Sequence, residues 1–218
     1  MDVKFKIFLL LHILGGSVGL LTGILNIIQK KGDKKHRLIG KIFYFSMLTA
    51  GFSSLILAYL HPNYFLFMVG VFTLYMVGSG DRYLKHRNTN NNEIQILDWA
   101  ISILMLLAGL FFIGMGAFNL FKSNFFGLVF IVFGGLGLFF VNQDFKNFRG
   151  KSSIQNYWLI GHLQRMTGGF IAAFTAFLVV NSENLPNQIP GFVYWLLPTF
   201  LLAPLISKWS RKFKIKKT

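Results

Sequence analysis

Seven stretches of about twenty mostly apolar residues constrain this chain more than anything else in it. They cover residues 5–28, 38–60, 64–80, 94–121, 125–141, 157–180 and 191–207. A helix rises 1.5 Å per residue, so about 20 residues cross the roughly 30 Å hydrocarbon layer of a bilayer. Backbone in that layer must satisfy its own hydrogen bonds, and no strand-type alternation longer than a turn occurs outside the apolar runs. The expected fold is therefore an all-α integral membrane bundle of about seven helices. The connecting segments are short, so residues 1–218 are expected to form a single transmembrane domain.

The charge balance takes its meaning from this reading. The chain carries 22 Lys and Arg against 7 Asp and Glu, which in a soluble protein would suggest nucleic acid. Here the cations alternate with the spans. Lys30, Lys31, Lys34, Lys35, Arg37 and Lys41 follow the first, and Arg82, Lys85 and Arg87 the third. Lys146, Arg149 and Lys151 follow the fifth, and the tail from Lys208 to Lys217 follows the seventh. The connections between these carry Lys122 alone. Cations concentrate on the cytoplasmic side of membrane proteins, which places the N-terminus outside and the C-terminus in the cytoplasm. The basic tail is then an orientation signal that also meets anionic lipid, and no nucleic-acid partner is implied. Two lysines before the first apolar run resemble a signal peptide, but that run is too long for one and reads as a retained span.

No cysteine is present, so disulfides, thiolate metal ligands and thiol catalysis are excluded. The tract NTNNNE at 88–93 reads as compositional bias without a function.

Small residues recur at helical spacing. Gly15, Gly19 and Gly23 line one face of the first span, with His12, Gly16 and Asn26 beside them. Gly168, Ala172 and Ala176 line the sixth, and Asp98, Ser102, Met105, Gly109 and Gly116 the fourth. Such stripes let helices approach closely, or present a smooth wall to a flat ligand such as haem or quinone. Pro198 and Pro204 should kink the seventh span.

Ionisable side chains are costly in hydrocarbon and mark pairs or sites. The assumed topology brings Asp81, Asp98, Arg165, His36 and His162 to one depth on the cytoplasmic side. The structural reading pairs Asp98 with Arg165. Three functional readings stand beside it: His36 and His162 as axial ligands of one haem, a metal held by Asp81, Asp98, His36 and His162, or an anion or proton site at Asp98 and Arg165 in a small transporter. No HExxH or comparable metal spacing is present. On the opposite side His12 and His61 are candidates for a second site, although a histidine near a helix end more often bonds a carbonyl. His86, among loop cations, reads as solvated.

His12 and Gly16, the cationic turn, and the K-G-x-x-x-H-R-x-x-G run from Lys31 to Gly40 resemble an uncharacterised family of bacterial multi-pass membrane proteins, a predicted membrane domain of unknown function. The stretch GHLQRMTGGFIAAFTAFLVVN and the proline-containing last span are similar to Bacteroidetes-type members. The resemblance implies a bacterial inner-membrane location and attention to His12, His36, Gly40, His162 and Arg165; it brings no established reaction. A looser likeness is to helical cytochromes of the b561 kind, from which the chain departs in lacking two clear histidine pairs at matched depths. The expected partners are the lipid bilayer, a quinone or other small ligand, and other membrane helices or further copies of the chain. The leading expectation is a haem or quinone electron-transfer site in the cytoplasmic half, with a small transporter or a non-enzymatic scaffold as alternatives.

Overall fold

The computed structural model describes residues 3–87, 94–184 and 191–216. The 88–93 tract, residues 185–190 of the connection before the seventh span and Lys217 lie outside the described residues. Among the described residues seven α-helices follow one another: α1 (Val3–Ile28), α2 (Lys34–Leu60), α3 (Tyr64–Lys85), α4 (Ile96–Phe121), α5 (Gly127–Phe148), α6 (Tyr157–Val180) and α7 (Gly191–Phe213). A single 3₁₀ turn, Ser182–Asn184, precedes the last. Helices α1 to α6 are each long and apolar enough to cross a membrane. The chain is a helical membrane bundle.

The helix starts are specified locally. Gly32, at φ +83, turns the chain, and Asp33 then caps α2 by accepting the His36 amide at 2.7 Å. Asn63 caps α3 through the Leu66 amide at 2.9 Å. At α4 the Asp98 carboxylate reaches back to the Gln95 amide at 2.9 Å, the reciprocal half of a capping box. These bonds satisfy amides that a helix start otherwise leaves unpaired.

Three helices run further than the apolar runs at their C-terminal ends: α3 continues to Lys85 where the run ends at Gly80, α5 to Phe148 where the run ends at Val141, and α7 to Phe213 where the run ends at Ser207. In α3 and α5 hydrophobicity fades because inward residues become polar, but Arg82, Tyr83 and Asp144 find partners on neighbouring helices, so the helix need not stop. Pro198 and Pro204 both lie inside α7, which continues through them.

Helix α3 occupies the centre. It packs on α2, α4, α5 and α6, while α1 pairs with α2, α4 with α5, and α7 with α6. One core gathers Met68, Phe72, Met76, Met105, Phe112, Phe130 and Phe133; a second gathers Phe43, Met47, Val77, Phe170 and Leu202. The small-residue stripes are filled by other helices. A Cβ at Gly15 would meet Ser46 O at 2.9 Å, and one at Gly23 would enter the Phe170 ring. Gly109 and Gly134 face each other across α4 and α5, where a Cβ on Gly134 would lie 2.8 Å from Gly109 O. A Cβ at Gly116 would lie 2.7 Å from Gly127 O. These stripes serve close helix approach.

Candidate functional sites in the basic half

Polar side chains inside the bundle gather towards the end where α3 and α5 finish and α4 and α6 begin. They form three separate groups.

The deepest centres on Asp144 of α5 and Arg165 of α6, paired at 2.5 Å with both side chains fully buried. Arg165 lies eight residues after Tyr157, about 12 Å along α6. Asp144 Oδ2 accepts from the hydroxyls of Tyr75 at 2.5 Å and Ser102 at 3.0 Å, and Oδ1 accepts from the Tyr83 hydroxyl at 2.6 Å as well as from Arg165. Four donors fill the roughly four acceptor positions of a carboxylate. Arg165 also donates to Phe140 O at 2.9 Å and lies over the Phe140 ring at 4.0 Å. Asn147 donates to the Tyr83 oxygen at 3.0 Å. The two charges are thus paired and the carboxylate is filled, the condition under which an intramembrane ion pair persists, while Arg165 Nε is buried without a hydrogen-bond partner.

The second group is shallower. Arg82 donates through Nε to Asp98 Oδ1 at 2.8 Å and through an outer nitrogen to Asp98 Oδ2 at 2.9 Å, a two-point fork, and also reaches Gln95 Oε1 at 2.8 Å. His86 Nε2 lies 3.3 Å from Asp98 Oδ2, its ring among those of Tyr83, Phe148 and Tyr157. A cavity of about 10 Å3 separates this group from the first, lined by residues of both.

The third group holds His36 of α2 and His162 of α6, which lie within electrostatic range of each other. His162 Nδ1 is 2.9 Å from Gly80 O. A carbonyl only accepts, so Nδ1 carries the proton, and in the neutral ring Nε2 keeps its lone pair. His36 Nδ1 is buried without a hydrogen-bond partner. Beside these histidines Lys31, between α1 and α2, donates to Asn26 O at 2.5 Å and Ile27 O at 2.7 Å and lies 4.2 Å from the Trp209 ring. Burial pushes its amine below the usual lysine value. Tying down carbonyls at the end of α1, it closes that helix as a C-terminal cation does.

The sequence-based site residues therefore separate. Asp98 pairs with Arg82, and Arg165 with Asp144, so the expected Asp98–Arg165 pair is replaced by two others. Asp81 lies within electrostatic range of His162 and 3.8 Å from Lys85, a partly exposed pair one helical turn long. His12 Nδ1 bonds Ala50 O at 2.9 Å, the carbonyl-bonded alternative, and the His61 ring packs edge-on against Phe5. His86 is buried, at 6% exposure, where a solvated loop residue was expected. Among the described residues no three His, Asp or Glu side chains are grouped to hold a metal ion, so Asp81, Asp98, His36 and His162 do not make the expected set of four ligands. Asp144, Tyr75 and Tyr83 were not anticipated, and Arg82 was counted among loop cations.

Residues 9–97 match the family described as predicted membrane protein (DUF2306). The match runs from α1 into the first turn of α4 and includes the Lys31–Gly40 run that carries the sequence resemblance, along with His12, His36, Arg82 and Gly80. Asp144, His162 and Arg165 lie beyond it. That description supports a membrane protein of unknown function. No curated protein and no solved structure matches the chain.

Proposed function

We propose that His36 and His162 mark the ligand site of this multi-pass membrane protein, and that its ligand is a redox group, haem b in the first instance. The observation that carries this is a buried His36 ring nitrogen without a hydrogen-bond partner, near a histidine whose Nδ1 is already fixed by a carbonyl. A buried polar atom without a partner is costly and calls for an explanation. A histidine that donates Nδ1–H to a carbonyl is oriented as metal-bound histidines are, with Nε2 available.

His162 and His36 would hold the iron from α6 and α2, and haem would supply reversible one-electron chemistry. The chain's own part is to fix the His162 ring through Gly80. The transport reading rested on a switchable Asp98–Arg165 pair, and each of those residues is committed elsewhere.

The placement that goes with this reading has seven spans, α7 included, in one domain of a bacterial inner membrane, with the C-terminus and the polar half on the cytoplasmic side. Haem occupancy of protein purified from haem-supplied cells tests the ligand assignment. His162→Ala should abolish occupancy and His36→Ala reduce it at least tenfold; full occupancy in both variants refutes the site. If the ligand is a quinone, it should extract with the native protein and be absent from the same two variants.

A further inference from the structure

The cavity between the two ion-pair groups is bounded by Ser79, Arg82, Tyr83, Asp98, Ile101 and Ser102, together with His86 and Phe148 at its edge. Its volume of about 10 Å3 lies at the lower limit for one water molecule. A void of this size in an apolar core stays dry, so the lining decides what occupies it.

The lining has hydrogen-bonding capacity to spare. Tyr83 O donates to Asp144 and accepts from Asn147, which leaves one lone pair. Ser102 Oγ donates to Asp144 Oδ2 and keeps both lone pairs. Asp98 Oδ1 accepts the Arg82 Nε–H at 2.8 Å and has room for a second donor. Ser79 Oγ reaches Met76 O only at 3.4 Å, a long bond that a closer acceptor would replace. Two acceptors for its hydrogens and one hydroxyl to donate to it meet the three bonds a buried water usually makes.

We propose that this cavity is a water site, and that one bound water joins Asp98 and Arg82 to the hydroxyls held by Asp144. The two ion pairs then form one hydrogen-bonded network across α3, α4, α5 and α6, reaching from His86 at the end of α3 to Tyr75. The site is independent of the His36–His162 pair. Its position also limits what the water does. Asp144 is filled by four donors and balanced by Arg165, and beyond it Met76, Phe72, Met105 and Phe112 are apolar. The water links charges and hydrates the shallower group; it does not open a path across the bundle.

A map of the full chain in lipid nanodiscs, at a resolution that shows ordered waters at the helix ends, tests this. The expected result is a peak within hydrogen-bonding distance of Ser79 Oγ, of Asp98 Oδ1 and of one of the two hydroxyl oxygens Ser102 Oγ and Tyr83 O. An empty cavity in such a map overturns the proposal. A second measurement uses protein carrying labelled isoleucine methyls. Water should give a nuclear Overhauser contact to the Ile101 methyl that is lost in Ser79→Val, which fills the void. No contact at Ile101, with one present at exposed Ile96, overturns it as well.

Discussion

Replacing Asp144 with alanine should be the most damaging single change in the basic half of the bundle. The mutation leaves the Arg165 guanidinium fully buried with Phe140 O and Gln143 as its remaining acceptors. Breaking a buried ion pair costs about 3–5 kcal/mol. Three hydroxyls, those of Tyr75, Tyr83 and Ser102, lose their shared acceptor. Interhelical side-chain hydrogen bonds in a bilayer average about 0.6 kcal/mol each, so these add about 2 kcal/mol. The sum is about 5–7 kcal/mol, comparable to the whole stability of many domains. The pair is costly to break but also costly to desolvate, so removing both charges should recover most of the loss. Asp144→Leu with Arg165→Met is expected to lie at least 3 kcal/mol above Asp144→Ala. Equilibrium unfolding in bicelles measures all three. A cost under about 1 kcal/mol for Asp144→Ala, or a double variant as unstable as the sum of its parts, refutes the view that this centre is a structural staple.

Other outcomes follow from the same geometry. Asp98→Ala strips Arg82 of its fork and the first turn of α4 of its cap, and should cost about 3–5 kcal/mol in the same unfolding assay; Asp81→Ala, removing a partly exposed pair, should cost less than about 1 kcal/mol. Gly134→Val forces side-chain carbon against Gly109 O and should destabilise the α4–α5 pair by about 1–3 kcal/mol, whereas Gly135→Ala, whose Cβ meets nothing, should change little. Because the chain lacks cysteine, single cysteines at Ser152 and Asn124 can be labelled in intact cells and in inverted vesicles. The proposed orientation has Ser152 reacting only from the cytoplasmic face and Asn124 only from the other, and the reverse pattern would invert the topology.

The spans were legible because their length and apolarity are set by the bilayer, and the α4 stripe of Asp98, Ser102, Met105, Gly109 and Gly116 is buried as its spacing implies. The partner of Arg165 was not legible by run length, since the apolar run of α5 stops at Val141. The missed signal lies in the period. Phe130, Phe133, Gly137 and Val141 mark the buried face of α5, and Asp144 falls on the next position of that same face. Arg82 is hidden in the same way. It continues the face of Tyr75 and Ser79, but a cation at a span end is ordinarily an orientation signal, and nothing in α3 alone reveals that Asp98 sits opposite. The Asp98–Arg165 pairing was the economical solution for charges known to be inside spans; two further charges, read as outside, divided it into two pairs. His36 and His162 were named from their types and expected depth, and electrostatic range is what the structure adds.

The absorption spectrum of the detergent-purified native protein, from haem-supplied cells, tests the central claim most directly when taken air-oxidised and again after dithionite. The account predicts a Soret band that sharpens and moves to longer wavelength on reduction. A featureless spectrum, with no quinone in the lipid extract of the same sample, would contradict it.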